Sequence, residues 1–104
     1  MQKKFIIIDN DELFKDLIEE QVSIIFEKNF HVKFLSSYDI NILSELDTID
    51  LIIVNFKFIK DYYNIFSNLE NEKKSKIIIV FDDGVDRSQF KKYHNYNFIV
   101  KPFR

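Results

Sequence analysis

The sequence is poor in the residues that build disulfide-stapled domains and nucleotide-binding loops. Its 104 residues include no cysteine, one glycine and one proline. The absence of cysteine excludes disulfides and thiolate metal sites, and it removes any sequence signal for the redox compartment. A single glycine also excludes the G-x-G-x-x-G fingerprint and the phosphate-binding P-loop, which both need more than one.

Long apolar segments and a strong charge of one sign are missing as well. No apolar run approaches the roughly 20 residues of a membrane span, and no signal-peptide pattern opens the chain. The formal net charge of −2 gives no general attraction to nucleic acid. We therefore expect one cytoplasmic domain over residues 1–104, with a core of its own, no membrane segment and no direct nucleic-acid contact.

What the sequence does contain is a series of short β-branched and aromatic runs, each followed by a polar residue. The runs cover residues 5–8, 51–54, 77–81 and 98–100 and lack apolar/polar alternation. Such runs are typical of strands buried on both faces in a parallel sheet covered by helices. The carboxyl ends of parallel strands share one edge of an open sheet, so the residues that follow should share one pocket. These residues are Asp9, Asn10, Asn55, Asp82 and Lys101.

Helical patterns separate the strands. Asp11 is a candidate N-cap of the first helix. Apolar residues at helical spacing predict the buried faces of the helices: Phe14, Leu17, Ile18, Val22 and Ile25; then, after a second strand at residues 31–35, Ile40, Leu43 and Leu46; then Ile59, Tyr62, Tyr63, Phe66 and Leu69; and last Phe90 and Tyr93. The resulting βαβαβαβαβ order predicts right-handed crossovers and a three-layer α/β sandwich.

Over its whole length the sequence resembles the receiver domain of bacterial two-component response regulators. The resemblance is carried by the acidic cluster at residues 9–12, by the run at 50–55, and by the segment Phe-Ile-Val-Lys-Pro-Phe at 98–103. The last segment is the most specific, because Lys-Pro-Phe after a short apolar strand is uncommon by chance. The resemblance implies a flavodoxin-like fold, with a five-stranded parallel sheet of order 2-1-3-4-5.

The resemblance also assigns the metal-binding and acceptor positions. In that family the acids after the first strand hold Mg²⁺, and an aspartate that ends the third strand accepts a phosphoryl group. Here Asp9 matches the first acid, while Asn10 stands at the second acid position unless Asp11 substitutes for it. The acceptor position is Asn55, so this sequence departs from the family at its reactive group.

The remaining family positions lie at the ends of the last two strands. A lysine that precedes proline, often across a cis bond, contacts the phosphoryl oxygens, and Lys101 before Pro102 matches it. The Ser or Thr that ends strand four is replaced by Phe81 or Asp82. Phe98 stands where a switching aromatic residue often lies. Phe81 would fill space meant for a phosphoryl oxygen if it pointed into the pocket.

These departures predict a pseudo-receiver. A neutral carboxamide is a far poorer nucleophile than a carboxylate, so Asn55 should not form an acyl phosphate. Two amides at carboxylate positions remove two unit charges, each worth on the order of 4 kcal/mol at about 4 Å in an effective dielectric of about 20. We therefore expect a vestigial, weak Mg²⁺ site at Asp9, Asn10 and Asp11, and no other cofactor. Lys101 should pair with Asp9 and hydrogen-bond Asn55, holding one conformation without metal or phosphate.

Each position also has a simpler structural interpretation, which the sequence leaves open. The simpler roles are helix capping for Asp9 and Asn10, a turn for Asn55, strand termination for Lys101-Pro102, an Asp-Asp-Gly turn with a left-handed glycine for Asp82, and a core position for Phe98.

The functional expectation is a phosphorylation-independent signalling module that binds a protein partner, an output domain or a second copy of itself, and that is not an enzyme. The alternative is a working phospho-acceptor that uses Asp9, Asp11 or Asp82 with Mg²⁺. Receivers usually continue into a fifth helix, whereas this sequence ends at Arg104. We expect that covering helix to be absent and the chain to be the N-terminal part of a longer regulator, with dimerisation as the second explanation.

Overall fold

The computed structural model describes residues 3–27, 29–37 and 39–101. Within these ranges strands and helices alternate, and each predicted strand is present with its ends within two residues of the prediction. The elements are β1 (Lys3–Ile8), α1 (Glu12–Phe26), β2 (Phe30–Leu35), a 3₁₀ helix (Ile40–Thr48), β3 (Leu51–Asn55), two 3₁₀ turns (Phe56–Phe58 and Lys60–Tyr62), α2 (Tyr63–Ser67), α3 (Asn71–Lys74), β4 (Ile77–Phe81), α4 (Arg87–Lys92) and β5 (Asn97–Val100).

The five strands form one parallel sheet of order β2-β1-β3-β4-β5, which confirms the predicted fold class. The chain adds β2 on one side of β1 and then crosses to add β3 on the other. Open α/β sheets place their ligand sites at such a switch point, outside the carboxyl ends of the strands. Ile8 pairs with Val54 and Asn55 pairs with Val80, so the tips of the three central strands lie side by side.

The core has two parts, one on each face of the sheet. On the face covered by α1, called here the α1 face, Phe14, Ile18 and Val22 pack against strand residues such as Ile7. The opposite face is covered by the segments that follow β2, β3 and β4. Adjacent residues Ile7 and Ile8 are 1% and 0% exposed. Burial on both faces explains why the strand sequences do not alternate between apolar and polar residues.

Helix α1 begins as predicted, but the last of its residues to pack against the sheet is a different one, the half-buried Phe26. The Asp11 carboxylate caps it, accepting hydrogen bonds from the Leu13 and Phe14 backbone N–H groups. Ile25, predicted to be buried, is 68% exposed. The buried residues recur every fourth position, and this spacing leads to Phe26, whose ring centroid lies 5.3 Å from that of Phe5.

The segments on the opposite face differ from the predicted helices in type. The second is a 3₁₀ helix that buries Ile42 and Leu46, while Leu43 is half-buried. The third is not one continuous helix but two 3₁₀ turns followed by α2, so its residues do not keep the spacing of an α-helix. As a result its two tyrosines, Tyr62 and Tyr63, are exposed.

The single glycine lies in the turn after β4. Gly84 has a φ of 90°, in the left-handed region that favours glycine, and the Val85 N–H donates to the Asp82 carbonyl at 3.3 Å. The predicted Asp-Asp-Gly turn is therefore present. Within the described ranges, no helix combines the length and apolar character that a membrane crossing requires.

Candidate functional site

Polar side chains from four strand ends meet at the carboxyl edge of the sheet. Asp9 follows β1, Asn55 ends β3, Asp82 follows β4 and Lys101 follows β5. They are joined to one another by direct hydrogen bonds and ion pairs. The parallel topology therefore brings together four of the five residues that the sequence predicted to converge, and the fifth, Asn10, is exposed and contacts Lys57 instead.

Lys101 lies at the centre of this cluster. Its ammonium nitrogen is 2.9 Å from Asp9 Oδ2, 3.0 Å from Asp11 Oδ2 and 3.5 Å from Asp82 Oδ1. It also lies 4.5 Å from the centroid of the Phe14 ring, within the range of a cation–π contact. The Lys101 side chain is 13% exposed and that of Asp9 is 1% exposed, so this pair is largely shielded from water.

Asn55 links two of the same carboxylates through its amide nitrogen. Nδ2 donates to Asp9 Oδ2 at 3.2 Å and to Asp82 Oδ1 at 3.0 Å. Oδ1 accepts a hydrogen bond from the Lys57 backbone N–H at 3.0 Å. The predicted contact with Lys101 is therefore wrong: the amide oxygen, which could accept from the ammonium, is held by the turn after β3. An aspartate here would have no N–H to offer the two carboxylates.

Asp9 and Asp11 divide the roles that the sequence left open. Asp9 Oδ1 accepts from the Asp11 backbone N–H at 3.0 Å, while its other oxygen faces Lys101 and Asn55. Asp11 caps α1 with one carboxylate oxygen and binds Lys101 with the other. The capping role suggested for Asp9 and Asn10 thus belongs to Asp11.

Lys57 is a member of the site that sequence reasoning missed. Its ammonium donates to Asn10 Oδ1 at 2.6 Å, and its backbone N–H holds Asn55 as described above. Asn10 itself is exposed. The sequence feature that could have indicated this contact is the position of Lys57, two residues after Asn55. In an Asx-type turn, the side-chain oxygen of the first residue accepts a hydrogen bond from the backbone N–H two residues later. Phe14 was correctly predicted as a core residue, but its contact with the Lys101 ammonium was not predicted.

Two other predicted positions lie outside the cluster. Phe81 is fully buried and packs on the opposite face against Phe56 and Phe90, with ring centroids 5.1 and 4.7 Å away. Successive strand side chains point to opposite faces, so Asp82, the next residue, enters the site instead. The core position suggested for Phe98 is wrong, because β5 is an edge strand and Phe98 is 44% exposed. Pro102, the bond that precedes it, and Phe103 lie outside the described residues.

The charges of the cluster do not balance. Three carboxylates surround one ammonium, which gives the group a formal charge of −2. Burial favours a lower pKa for Lys101, but its hydrogen bonds to Asp9 and Asp11 and their charges outweigh that effect and raise the pKa above its ordinary value. The hydrogen bond from Lys101, followed by that from the Phe14 N–H, lowers the pKa of Asp11. Both shifts favour the charged pair at neutral pH.

This arrangement predicts how alkali acts on the protein. A lysine whose pKa is raised on folding contributes stability that is fully present below its unfolded pKa, about 10.5, and is lost as pH rises through the higher folded value. In urea denaturation at a series of pH values, the stability difference between wild type and Lys101→Met should stay constant from neutral pH up to about pH 10.5 and then shrink. A difference that grows with pH above that value would contradict the assignment.

The same contacts bear on the Mg²⁺ site that the receiver resemblance implies. Mg²⁺ requires near-octahedral oxygen ligands, usually including carboxylates. Here Asp9 Oδ2 and Asp11 Oδ2 face the ammonium of Lys101, and Asn10 Oδ1 faces that of Lys57. No group of three or more His, Cys, Asp or Glu side chains among residues 3–27, 29–37 and 39–101 is arranged to hold a metal ion. The residues in this conformation do not fit the metal.

Comparison with known proteins identifies the fold. No protein-family model matches the sequence, and no curated protein is detectably similar to it. The structure of NtrX from Brucella abortus in complex with ADP is similar, with a TM-score of 0.62 and 15% identity over the whole of this chain and 24% of that one. The beryllofluoride-activated NtrC receiver domain has a TM-score of 0.52 and 11% identity, over the whole of this chain and 86% of that one.

The chain has a receiver-type fold. The similarity to the NtrC receiver domain extends over the whole of this chain, and the sheet order is the one that the resemblance in sequence implied. It spans about a quarter of the length of the NtrX chain, so the activity of that whole protein is not carried over. At 11% and 15% identity these similarities concern the fold, and function has to be argued from the site itself.

Proposed function

We propose that this chain is a receiver-type signalling module whose site is held in one conformation by Lys101, without a bound metal ion or a phosphoryl group. The observation that carries the proposal is the position of the ammonium between Asp9, Asp11 and Asp82. Such a module presents its binding surfaces continuously instead of after phosphorylation. It acts by binding a protein partner or an output domain, and catalyses no reaction.

The position of the lysine explains why Mg²⁺ should bind weakly. A divalent cation that reached Asp9 and Asp11 would have to displace the ammonium or lie beside it. A divalent cation and an ammonium repel by on the order of 8 kcal/mol at about 4 Å in an effective dielectric of about 20, before screening. Asn55 increases the difficulty because it adds an amide where a fourth carboxylate would have offset that repulsion.

The state of the carboxylates bears on the alternative function, phosphorylation of an aspartate other than residue 55. Asp9 is the least suited to attack phosphorus, because both of its oxygens accept hydrogen bonds and its side chain is 1% exposed. The Asp11 and Asp82 side chains are 40% and 41% exposed. They are therefore the alternative acceptors that an experiment has to exclude.

Phosphoryl transfer tests the proposal directly. The protein is incubated with a small acyl-phosphate donor and Mg²⁺, and its intact mass is then measured. We expect no phosphoryl adduct on the folded wild type. An adduct would overturn the proposal, and repeating the reaction with Asp11→Asn and Asp82→Asn would identify the acceptor.

Restoring the acidic residue at position 55 should create a measurable Mg²⁺ site. Asn55→Asp replaces two N–H donors with a carboxylate and makes the cluster more negative, so the metal-free protein should be less stable than wild type. By calorimetry its Mg²⁺ affinity should exceed that of wild type by about tenfold or more, a difference of about 1.4 kcal/mol.

Asn64→Asp is the matched control, because it adds the same charge at an exposed position outside the site. Its Mg²⁺ titration should match that of wild type. Identical titrations for Asn55→Asp and Asn64→Asp would refute the argument that charge at residue 55 controls metal binding.

A further inference from the structure

The two edges of the sheet are protected to different degrees. Within the described residues β2 is one edge strand and β5 is the other. An edge strand exposes a row of backbone N–H and C=O groups that can pair with another chain, and exposed charged side chains normally prevent this. β2 carries exposed His31 and Lys33, whereas Asn97–Val100 has no charged residue. Lys101, which follows β5, is turned into the site.

The unprotected edge carries apolar side chains on both faces. Phe98 and Val100, which share one face, are 44% and 38% exposed, and Ile99 is half-buried on the α1 face. The Phe98 ring stacks on that of Phe90, with centroids 5.5 Å apart and planes 19° apart. That stack orients Phe98, so its exposed surface is a defined part of the edge.

The backbone of β5 has a hydrogen-bonding register that can be read from its pairing with β4. The Lys101 N–H donates to the Phe81 carbonyl at 2.8 Å. Backbone groups alternate in direction along a strand, so those of Ile99 also face β4. The N–H and C=O groups of Phe98 and Val100 therefore point away from the sheet.

From these observations we infer that the β5 edge pairs antiparallel with the β5 edge of a second copy of this chain, with Ile99 opposite Ile99. In that register Phe98 of each copy lies opposite Val100 of the other, and the two residues exchange N–H···O bonds as a hydrogen-bonded pair. Their side chains meet on one face, and the two Ile99 side chains meet on the other.

A second copy fits this edge because the strand is complementary to itself. The Ile99-centred register uses the outward backbone groups of both Phe98 and Val100 and covers every apolar side chain at the edge. A register centred on Phe98 would use only that residue's groups within the strand and would place Val100 opposite Tyr96, which is buried. A two-fold contact of this kind closes on itself, so it gives dimers and not fibres.

The inference rests on the proposed function, since it names the partner of a module that presents its surfaces without phosphorylation. The two nevertheless fail separately. A monomer would overturn the β5 pairing and leave the site held by Lys101 intact. A phosphoryl adduct would overturn the proposed function and leave the pairing untouched.

Oligomeric state across a wide concentration range tests the pairing. By sedimentation equilibrium we expect a reversible monomer–dimer equilibrium for wild type. Val100→Lys places a charge against Phe98 of the other copy and should raise the dimer dissociation constant by about tenfold or more, or about 1.4 kcal/mol. Ile65→Lys is the control, because Ile65 is 37% exposed and Val100 is 38% exposed. Circular dichroism on both variants checks that they fold.

Amide hydrogen exchange on the wild type tests the register without a mutation. Protection at the Phe98 and Val100 amides should rise with protein concentration, while that at Ile99 and Lys101 should not change. The inference is overturned if the protein stays monomeric at every concentration, if Ile65→Lys weakens the dimer as much as Val100→Lys, or if concentration-dependent protection appears at β2 instead of β5.

Discussion

Replacing Lys101 with methionine should lower the free energy of unfolding by about 3 kcal/mol, the lower end of the range for removing one partner of a buried ion pair. Methionine keeps an apolar stem of similar length and removes the ammonium, with its charge and its hydrogen bonds to Asp9 and Asp11. The loss is large because Asp9, whose side chain is 1% exposed, then keeps a negative charge without its cation. Asp11 and Asp82 contribute less because they are partly hydrated. Urea denaturation followed by circular dichroism measures the effect.

Lys15→Met is the matched control for this prediction. Lys15 forms an ion pair with Glu12 at 3.7 Å, but the Glu12 side chain is 80% exposed. Exposed pairs are typically worth less than about 1 kcal/mol, so this variant should lose little stability. Equal losses of unfolding free energy in the two lysine variants would show that Lys101 stabilises the protein no more than an exposed ion pair does.

The second large effect concerns two neighbouring tyrosines, for which the same substitution should act in opposite directions. Tyr93 is 2% exposed, and its hydroxyl is the one buried side-chain polar atom in the described part of the chain without a hydrogen-bond partner. Tyr93→Phe removes this unsatisfied group and should stabilise the protein by about 1–2 kcal/mol. The ring keeps its contacts with Phe56 and Tyr63.

Tyr96→Phe is the contrasting change. The Tyr96 hydroxyl donates to the Phe66 carbonyl at 2.5 Å, so its removal should destabilise the protein by about 1–2 kcal/mol. Both variants are compared with wild type by urea denaturation. The same sign for both would contradict the assignment of hydrogen-bond partners.

The buried Tyr93 hydroxyl should also affect how stability depends on pH in alkali. Burial, and to a lesser extent Tyr63, raises the pKa of Tyr93 to about 12 from an ordinary value of 10.0. Unfolded chains therefore ionise first, and stability is lost as pH rises from about 10 towards 12. Tyr93→Phe should lose less stability than wild type over that interval.

The strands and their order were the most predictable part of the molecule. A residue buried on both faces of a sheet has to be apolar whichever way it points, so the runs at β1, β3 and β4 stand out as unbroken. Alternation with helical segments then favours a parallel sheet, and a parallel sheet brings its polar tips together. The convergence of Asp9, Asn55 and Lys101 follows from topology alone, before any side chain is placed.

The details of the site depended on orientations that the sequence does not encode locally. Phe81 and Asp82 were both candidates for the Ser/Thr position, because the phase of β4 relative to the sheet decides which of them enters the pocket. The sequence offered a turn as the simpler role of Asn55, and the structure shows that turn. Its hydrogen bond from the Lys57 N–H, which holds the amide oxygen of Asn55 away from Lys101, was not predicted. Lys57 was therefore missed as a member of the site.

The type of the helices on the opposite face could not be predicted for a different reason. Short segments gain little stability from their own hydrogen bonds, so packing against the sheet decides their geometry. The segment with Ile42 and Leu46 is therefore a 3₁₀ helix, although its spacing suggested an α-helix. On α1 the buried residues are four positions apart, so the next residue to face the sheet is Phe26, and Ile25 is exposed.

Thermal unfolding with and without excess Mg²⁺, of wild type and Lys101→Met, tests the central claim most directly. If the ammonium takes the place of a divalent cation among Asp9, Asp11 and Asp82, Mg²⁺ should leave the Tm of wild type unchanged. It should raise the Tm of Lys101→Met, in which three carboxylates have lost their cation. An equal rise in both proteins, or no rise in the variant, would contradict the claim.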